Sequence, residues 1–213
     1  MARTKLAILI SGRGSNMQAL IEACAQPGFP AEIALVVSNR PDAGGLDRAK
    51  AAGLPTAVVD HAGYETREAF EAVLTDLIEA AGAQLVCLAG FMRLLTADFV
   101  NHWRDRLINI HPSLLPAFPG LHTHERAIEA GVKLHGCTVH FVRAEMDNGP
   151  IIGQAAVPVL PGDTPDTLGA RVLAAEHQLY PACVKLVASG KARVRGDVVK
   201  TDAKVDGLLI NPA

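Results

Sequence analysis

Apolar residues in the first part of the chain fall into short runs separated by longer amphipathic stretches. Lys5–Ile10 is such a run, and its length and composition predict a strand. Ser11-Gly12-Arg13-Gly14 reads as a turn, with Ser15 placed to cap a helix running to about Ala25. Glu32–Ser38 predicts a second strand, Gly45–Ala52 a short helix ended by Gly53, and Thr56–Val59 a third strand. Over Thr66–Ala81 the apolar period becomes helical, with Phe70, Val73, Leu74, Leu77 and Ile78 on one stripe. Leu85–Ala89 is a buried strand, Gly90–Leu95 a loop, Thr96 a helix start, and Leu107–His111 the next strand. Short apolar strands alternating with helices define parallel βαβ units. The expected fold is therefore α/β: a doubly wound, mostly parallel sheet with helices on both faces.

After about residue 133 the pattern changes. Leu134–Val142 and Ile151–Val159 lie close together across Asp147-Asn148-Gly149 and predict an antiparallel extension of the sheet. Thr164-Pro165-Asp166 opens the last long helix, with proline in its favoured first position. Pro181 should kink or break that helix, because it lacks the amide donor the helix needs. Val194–Val199 reads as a two-residue hairpin. Residues 1–190 then form a single domain and residues 191–213 a hairpin and loose tail.

Composition narrows the class. The chain has 213 residues, 49% of them hydrophobic, enough for a core without covalent staples. A net charge of −2 gives no basic surface for nucleic acid, and aromatic residues make up only 4%, too few for stacking on bases. No apolar run is long enough to span a membrane, and the first strand starts too early to leave room for a signal peptide. The four cysteines, Cys24, Cys87, Cys137 and Cys183, are far apart and read as small buried hydrophobes in a reducing cytoplasm.

The chemistry concentrates at Asn109-Ile110-His111-Pro112. Residues two apart on a strand share a face, so the Asn109 amide and the His111 imidazole project together at a strand end. In open α/β sheets that edge is where ligands bind. An amide able to hold an oxyanion beside an imidazole able to move a proton suits acyl transfer. Asp147, in a turn-forming stretch, is the candidate carboxylate to control the imidazole, provided that its turn folds back over this strand. Gly12-Arg13-Gly14-Ser15-Asn16 opens the first helix and suits a single phosphate; a plain glycine turn with a capped helix fits equally. A dinucleotide fingerprint fits poorly, because Met17 stands where a third glycine is wanted and Ser38-Asn39-Arg40 where an acid is wanted. His122-Thr123-His124 lacks the spacing of a zinc site and reads as surface or loop residues, so no metal is expected. Ser113 lacks a nucleophile-elbow context.

Taken together these stretches resemble the glycinamide ribonucleotide formyltransferase family of de novo purine synthesis. The likeness covers roughly residues 5–190 and rests on several segments. They are Ser11–Asn16, Leu88–Arg93, Asn109–Pro116, Pro119–His124, His135–His140 and Asp147–Pro150. The Asn-x-His-Pro-Ser-Leu-Leu-Pro stretch and the later aspartate are shared with the wider folate-dependent formyltransferases and deformylases. The Gly-x-Gly-Ser-Asn loop is similar to the ribonucleotide enzymes in particular. The resemblance implies transfer of a formyl group from 10-formyltetrahydrofolate, a cosubstrate, to the amine of 5-phosphoribosylglycinamide. Asn109, His111 and Asp147 would be catalytic. Gly14, Ser15, Asn16 and Glu176 would hold the ribonucleotide. Arg67, Met92, Arg93, Leu94, Leu95 and Asn109 would line the folate site, with the loop of Arg143, Ala144, Glu145, Met146 and Asp147 closing over the pterin. The family often has a glutamine where this chain has Leu173. The expected partners are small molecules, not nucleic acid or membrane, for a cytoplasmic monomer or homodimer. Two rivals stand beside this reading: a formyltetrahydrofolate deformylase, and a non-catalytic nucleotide- or folate-binding protein.

Overall fold

The structure, a computed structural model, describes residues 2–201. The tail expected beyond the hairpin lies outside the described residues. Seven strands form the main sheet, in the order β3-β2-β1-β4-β5-β6-β7. They are β1 (Thr4–Ile10), β2 (Ala31–Ser38), β3 (Thr56–Val58), β4 (Leu85–Leu88), β5 (Leu107–His111), β6 (Leu134–Phe141) and β7 (Ile151–Pro158). The first five run parallel, and β6 is antiparallel to both β5 and β7.

Among the described residues six helices connect the strands: α1 (Ser15–Cys24), α2 (Gly45–Ala51), α3 (Arg67–Ala80), α4 (Ala97–His102), α5 (Thr123–Glu129) and α6 (Pro165–Ala188). A single 3-10 turn, His61–Gly63, follows β3. Strand alternation decides which helices go where. Leu6, Ile8 and Ile10 of β1 point into a core shared with Met17 and Leu20 of α1 and Leu168, Val172 and Leu179 of α6. Ala7 and Leu9 point to the other face, against Phe70, Leu74 and Ile78 of α3 and Phe99 of α4. Val73, on the expected stripe, is instead 36% exposed at its margin.

On β5 and β6 the second face turns polar. Ile108 and Ile110 enter the first core, as do Cys137, Val139 and Phe141. Asn109 and His111 of β5 therefore face the opposite side, register-paired with His140 and Thr138 of β6. This polar patch is the floor of the site described below.

Two expectations are corrected. Ser15 does not cap α1: the N-cap is Gly14, in the left-handed region at φ 70°, and no side chain caps the helix. Pro181 does not break α6, which runs on to Ala188. Leu179, Tyr180, Cys183 and Val184 around it are all buried, and their packing outweighs the lost amide donor. The expected hairpin forms as β8 (Ala192–Arg195) and β9 (Val198–Thr201), a two-stranded sheet whose Ala192, Val194 and Val199 pack against the first core.

Candidate active site

Three loops cover the polar floor: the one after β4, the one between β5 and α5, and the one between β6 and β7. The last folds back sharply. The Phe141 N–H donates to Pro150 O at 2.9 Å. A Cβ on Gly149 would sit 1.8 Å from the Phe141 carbonyl oxygen, so only glycine allows this approach. Asp147 is left-handed at φ 52°, a conformation that aspartate tolerates better than most residues. The result is that Asp147 Oδ2 lies 3.5 Å from His111 Nδ1 and accepts the Gly120 N–H at 2.7 Å.

His111 is 6% exposed and has an acceptor at each ring nitrogen. Nδ1 faces the Asp147 carboxylate, and Nε2 lies 3.1 Å from the Phe118 carbonyl oxygen. Each ring nitrogen therefore has an oxygen in front of it that can only accept. Asn109 has a partner that the sequence did not suggest. Its Nδ2 lies 3.3 Å from His140 Nε2, while His140 Nδ1 lies 3.1 Å from the Phe141 carbonyl oxygen. Nδ1–H donates to the carbonyl, leaving Nε2 to accept from the amide and fix its orientation. Burial holds the His140 pKa below the usual histidine value and keeps the ring neutral for that role. In the sequence His140 falls within the His135–His140 stretch that carries the resemblance, and alternation along β6 puts it on the same face as Thr138.

Ser113 is fully buried and its hydroxyl donates to Ala117 O at 2.7 Å, so it is not presented as a nucleophile. His122 is at the surface, 3.0 Å from Glu125. His124 departs from the surface reading: its Nδ1 lies 3.2 Å from Nε2 of the buried His135. Among the described residues no group of three or more His, Cys, Asp and Glu side chains converges as a metal site would require.

Beyond the end of β1, α1 begins with open backbone donors. Gly14 is required there, since a Cβ would lie 2.9 Å from Gly45 Cα. The first turn carries no acidic residue that would compete for an anion. Asn16 Nδ2 donates to Glu176 Oε2 at 2.7 Å, and both side chains are buried. Asn16 Oδ1 is buried with no partner. Burial pushes the Glu176 carboxyl up to about 7, partly offset by the Asn16 hydrogen bond.

The residues expected to meet folate divide in two. Met92 and Leu94 are each 64% exposed and Met146 58%, large apolar side chains displayed where soluble surfaces usually bury them. Arg67, Arg93, Ala144 and Glu145 are also exposed, and Leu95 is half-buried. The 90–95 loop starts beside Asn109, the register partner of Leu88. Arg143, by contrast, is already engaged, donating from Nη2 to Asp105 Oδ1 at 2.6 Å and from Nη1 to Val142 O at 3.0 Å. Two surface hollows, one beside Arg3 and Cys24–Pro30 and one between α3 and α4, share no residue with this cluster.

An amide, an imidazole and a carboxylate thus meet over a strand end, near a helix N-terminus open to an anion, which is the layout of an acyl-transfer site. The chain belongs to the formyl transferase family, whose family model matches residues 4–184. Within that class it is 44% identical to phosphoribosylglycinamide formyltransferase of Escherichia coli, over 97% of this chain and 96% of that one. It is also 48% identical, over 90% of its length, to the bovine trifunctional purine biosynthetic protein adenosine-3. It spans only 19% of that larger protein. Among solved structures, glycinamide ribonucleotide transformylase 1 from Symbiobacterium toebii superposes with a TM-score of 0.91 at 48% identity, covering 93% of this chain and 94% of that one. A formyltetrahydrofolate deformylase from Burkholderia mallei shares the fold at a TM-score of 0.86, but at 31% identity, over 95% of this chain and 71% of that one.

Proposed function

We propose that this protein transfers the formyl group of 10-formyltetrahydrofolate to the amine of 5-phosphoribosylglycinamide. The observation that carries the reading is the contact of His111 Nδ1 with Asp147 Oδ2 at 3.5 Å, on the same floor as Asn109. The substrate amine attacks the formyl carbon and the carbonyl electron pair moves to oxygen. The Asn109 amide and the His111 imidazolium stabilise that oxyanion, which takes the place now held at Nε2 by the Phe118 carbonyl. The intermediate collapses as the bond to the folate nitrogen breaks. That nitrogen leaves with the electron pair and receives the proton lost by the amine, through His111 or a bound water. Asp147 holds the imidazole in its donating state.

Gly14, Ser15 and Asn16 hold the phosphate on the open donors of α1, and Glu176 meets the ribose or glycinamide portion. Met92, Leu94, Leu95 and Met146 give folate an apolar wall, Arg67 and Arg93 supply cationic groups beside it, and the 143–147 loop closes over the pterin. Within that loop the Arg143 guanidinium acts by anchoring to Asp105, which fixes the loop's base. The chemistry needs no metal. The four buried free cysteines suit a reducing cytoplasm, where the protein works on small molecules as a monomer or homodimer.

The deciding experiment incubates the protein with 10-formyltetrahydrofolate, with and without 5-phosphoribosylglycinamide. Formylated ribonucleotide, made only when both are present, is the expected product. Formate released at the same rate without the ribonucleotide would identify a deformylase instead.

A further inference from the structure

We infer that Ser11, backed by Asn39, is a positioning residue that ties the phosphate-side loop to the folate-side loop. Ser11 ends β1 and leads directly into the Gly12–Gly14 turn. Across the switch in strand order, β4 lies beside β1 and delivers the loop that begins at Gly90. The Ser11 hydroxyl accepts the Met92 N–H at 2.8 Å and donates to Asn39 Oδ1 at 2.6 Å. The Ser11 N–H donates to Gly90 O at 3.2 Å. Behind this pair, His61 Nδ1–H donates to the Asn39 carbonyl at 2.8 Å and the Asn39 N–H to Ile10 O at 3.4 Å. One row of hydrogen bonds therefore crosses the ends of β3, β2, β1 and β4.

The row is polar where the neighbouring parts of β1, β2 and β4 are apolar. Ser11 is 7% exposed and Asn39 2%, so each would be costly there without its partner. Its outermost bond ends on the main chain of Met92, whose side chain, like that of Leu94, is mostly exposed, whereas the flanking Phe91 and Leu95 pack against the second core. The Met92 side chain does not hold this point of the loop by packing; the Ser11 hydroxyl holds its main chain. Because Ser11 and the phosphate turn are contiguous, the same hydroxyl sets the spacing between the two loops. On the proposed function, this spacing is the distance from phosphate to folate, and the inference rests on that reading.

The test has two parts. In the ligand-free protein, the Met92 amide should be protected from hydrogen exchange and should exchange about tenfold faster or more in Ser11→Ala. This part stands whatever the substrates prove to be. In the transfer assay, Ser11→Ala should raise the KM for 10-formyltetrahydrofolate about tenfold while the ribonucleotide KM stays within about twofold. Ser11→Thr, which keeps the hydroxyl, should restore most of the folate affinity. Asn39→Ala should have a smaller effect, and Ser11→Ala with Asn39→Ala should be no worse than Ser11→Ala alone. If Ser11→Ala does not fold, the near-isosteric Ser11→Cys should show the same folate-side loss. An unchanged Met92 exchange rate, or equal rises in both KM values, would overturn the inference. Loss of all transfer in the unmutated protein would instead defeat the proposed function and leave the exchange result intact.

Discussion

Asn16 and Glu176 are joined by a 2.7 Å hydrogen bond between the first turn of α1 and the middle of α6, with both side chains buried. Burial raises the Glu176 carboxyl from 4.5 to about 7. The folded value lies above the unfolded one, so the stability this group contributes is fully present below 4.5 and is lost as pH rises through about 7. A shift of that size corresponds to about 3 kcal/mol. Glu176→Gln, which never ionises, should therefore be the more stable protein at pH 8, with the advantage shrinking on acidification. The same change should weaken ribonucleotide binding, because the carboxylate proposed to meet the ribose or glycinamide portion is gone. The pH dependence of the ribonucleotide KM, falling in the wild type as pH rises through 7, should flatten in the variant. Thermal unfolding across this pH range checks the first half and steady-state kinetics the second.

The open N-terminus of α1 makes the next case. Neither Ser15 nor any other side chain caps the helix, and Asn16 Oδ1 is buried without a partner. Both observations fit donors and an amide kept for a ligand. A charge-assisted hydrogen bond contributes about 1.5–3 kcal/mol, so Ser15→Ala with Asn16→Ala should raise the ribonucleotide KM by more than about tenfold. The folate KM should change far less. An unchanged ribonucleotide KM would remove the phosphate from this loop.

Much of the frame was readable because burial imposes periodicity. Leu6, Ile8 and Ile10 against Ala7 and Leu9 fix β1 as a strand buried on both faces, and the two-residue spacing of Asn109 and His111 places them on one face. What was not readable depends on contacts between distant segments. That Asp147 reaches His111 follows from the close approach at Gly149 and a left-handed aspartate, neither of which periodicity reports. His140 supports Asn109 only because the antiparallel register sets them opposite each other. His124 looked like a loop residue because its partner His135 belongs to a strand eleven positions away. The Ser15 cap failed because a left-handed Gly14 starts the helix one residue earlier.

The His124–His135 contact has its own consequence for acid stability. His135 is pushed down to about 4, by burial first and by the neighbouring His124 second. Its folded value lies below the unfolded one, so the neutral ring's stability is present above about 6.5 and is lost as pH falls toward 4. His135 also packs edge-on against Phe118, with ring centroids 5.8 Å apart, and the Phe118 carbonyl faces His111. Loosening on acidification should therefore reach the site. His135→Phe keeps an aromatic ring but takes up no proton. Its unfolding free energy should fall less steeply between pH 6.5 and 4, by up to about one proton in the linkage slope. The full wild-type slope persisting in the variant would show that other groups carry it.

The catalytic cluster gives the sharpest test, because its members are proposed to act through different contacts. On the proposed mechanism Asp147 acts only by way of His111 Nδ1, 3.5 Å away, whereas Asn109 lies separately against His140. Asp147→Asn should keep the loop in place, since an amide oxygen can still accept the Gly120 N–H now bound to Oδ2 at 2.7 Å. It replaces the carboxylate that faces the imidazole with a neutral amide. Removing a positioned acid–base or oxyanion contribution typically costs about two to four orders of magnitude in rate, and that is the expected range for Asp147→Asn, His111→Ala and Asn109→Ala taken singly. The combinations separate the roles. His111→Ala with Asp147→Asn should be little slower than His111→Ala alone, because without the imidazole the carboxylate has nothing left to act on. His111→Ala with Asn109→Ala should be slower than either single variant, since two independent donors to the oxyanion are then missing. Single-turnover rates with both substrates bound measure this directly, free of changes in binding. A His111→Ala, Asp147→Asn protein slower than His111→Ala by the full Asp147→Asn factor would mean that Asp147 contacts the reacting groups itself, and the relay through His111 would be wrong.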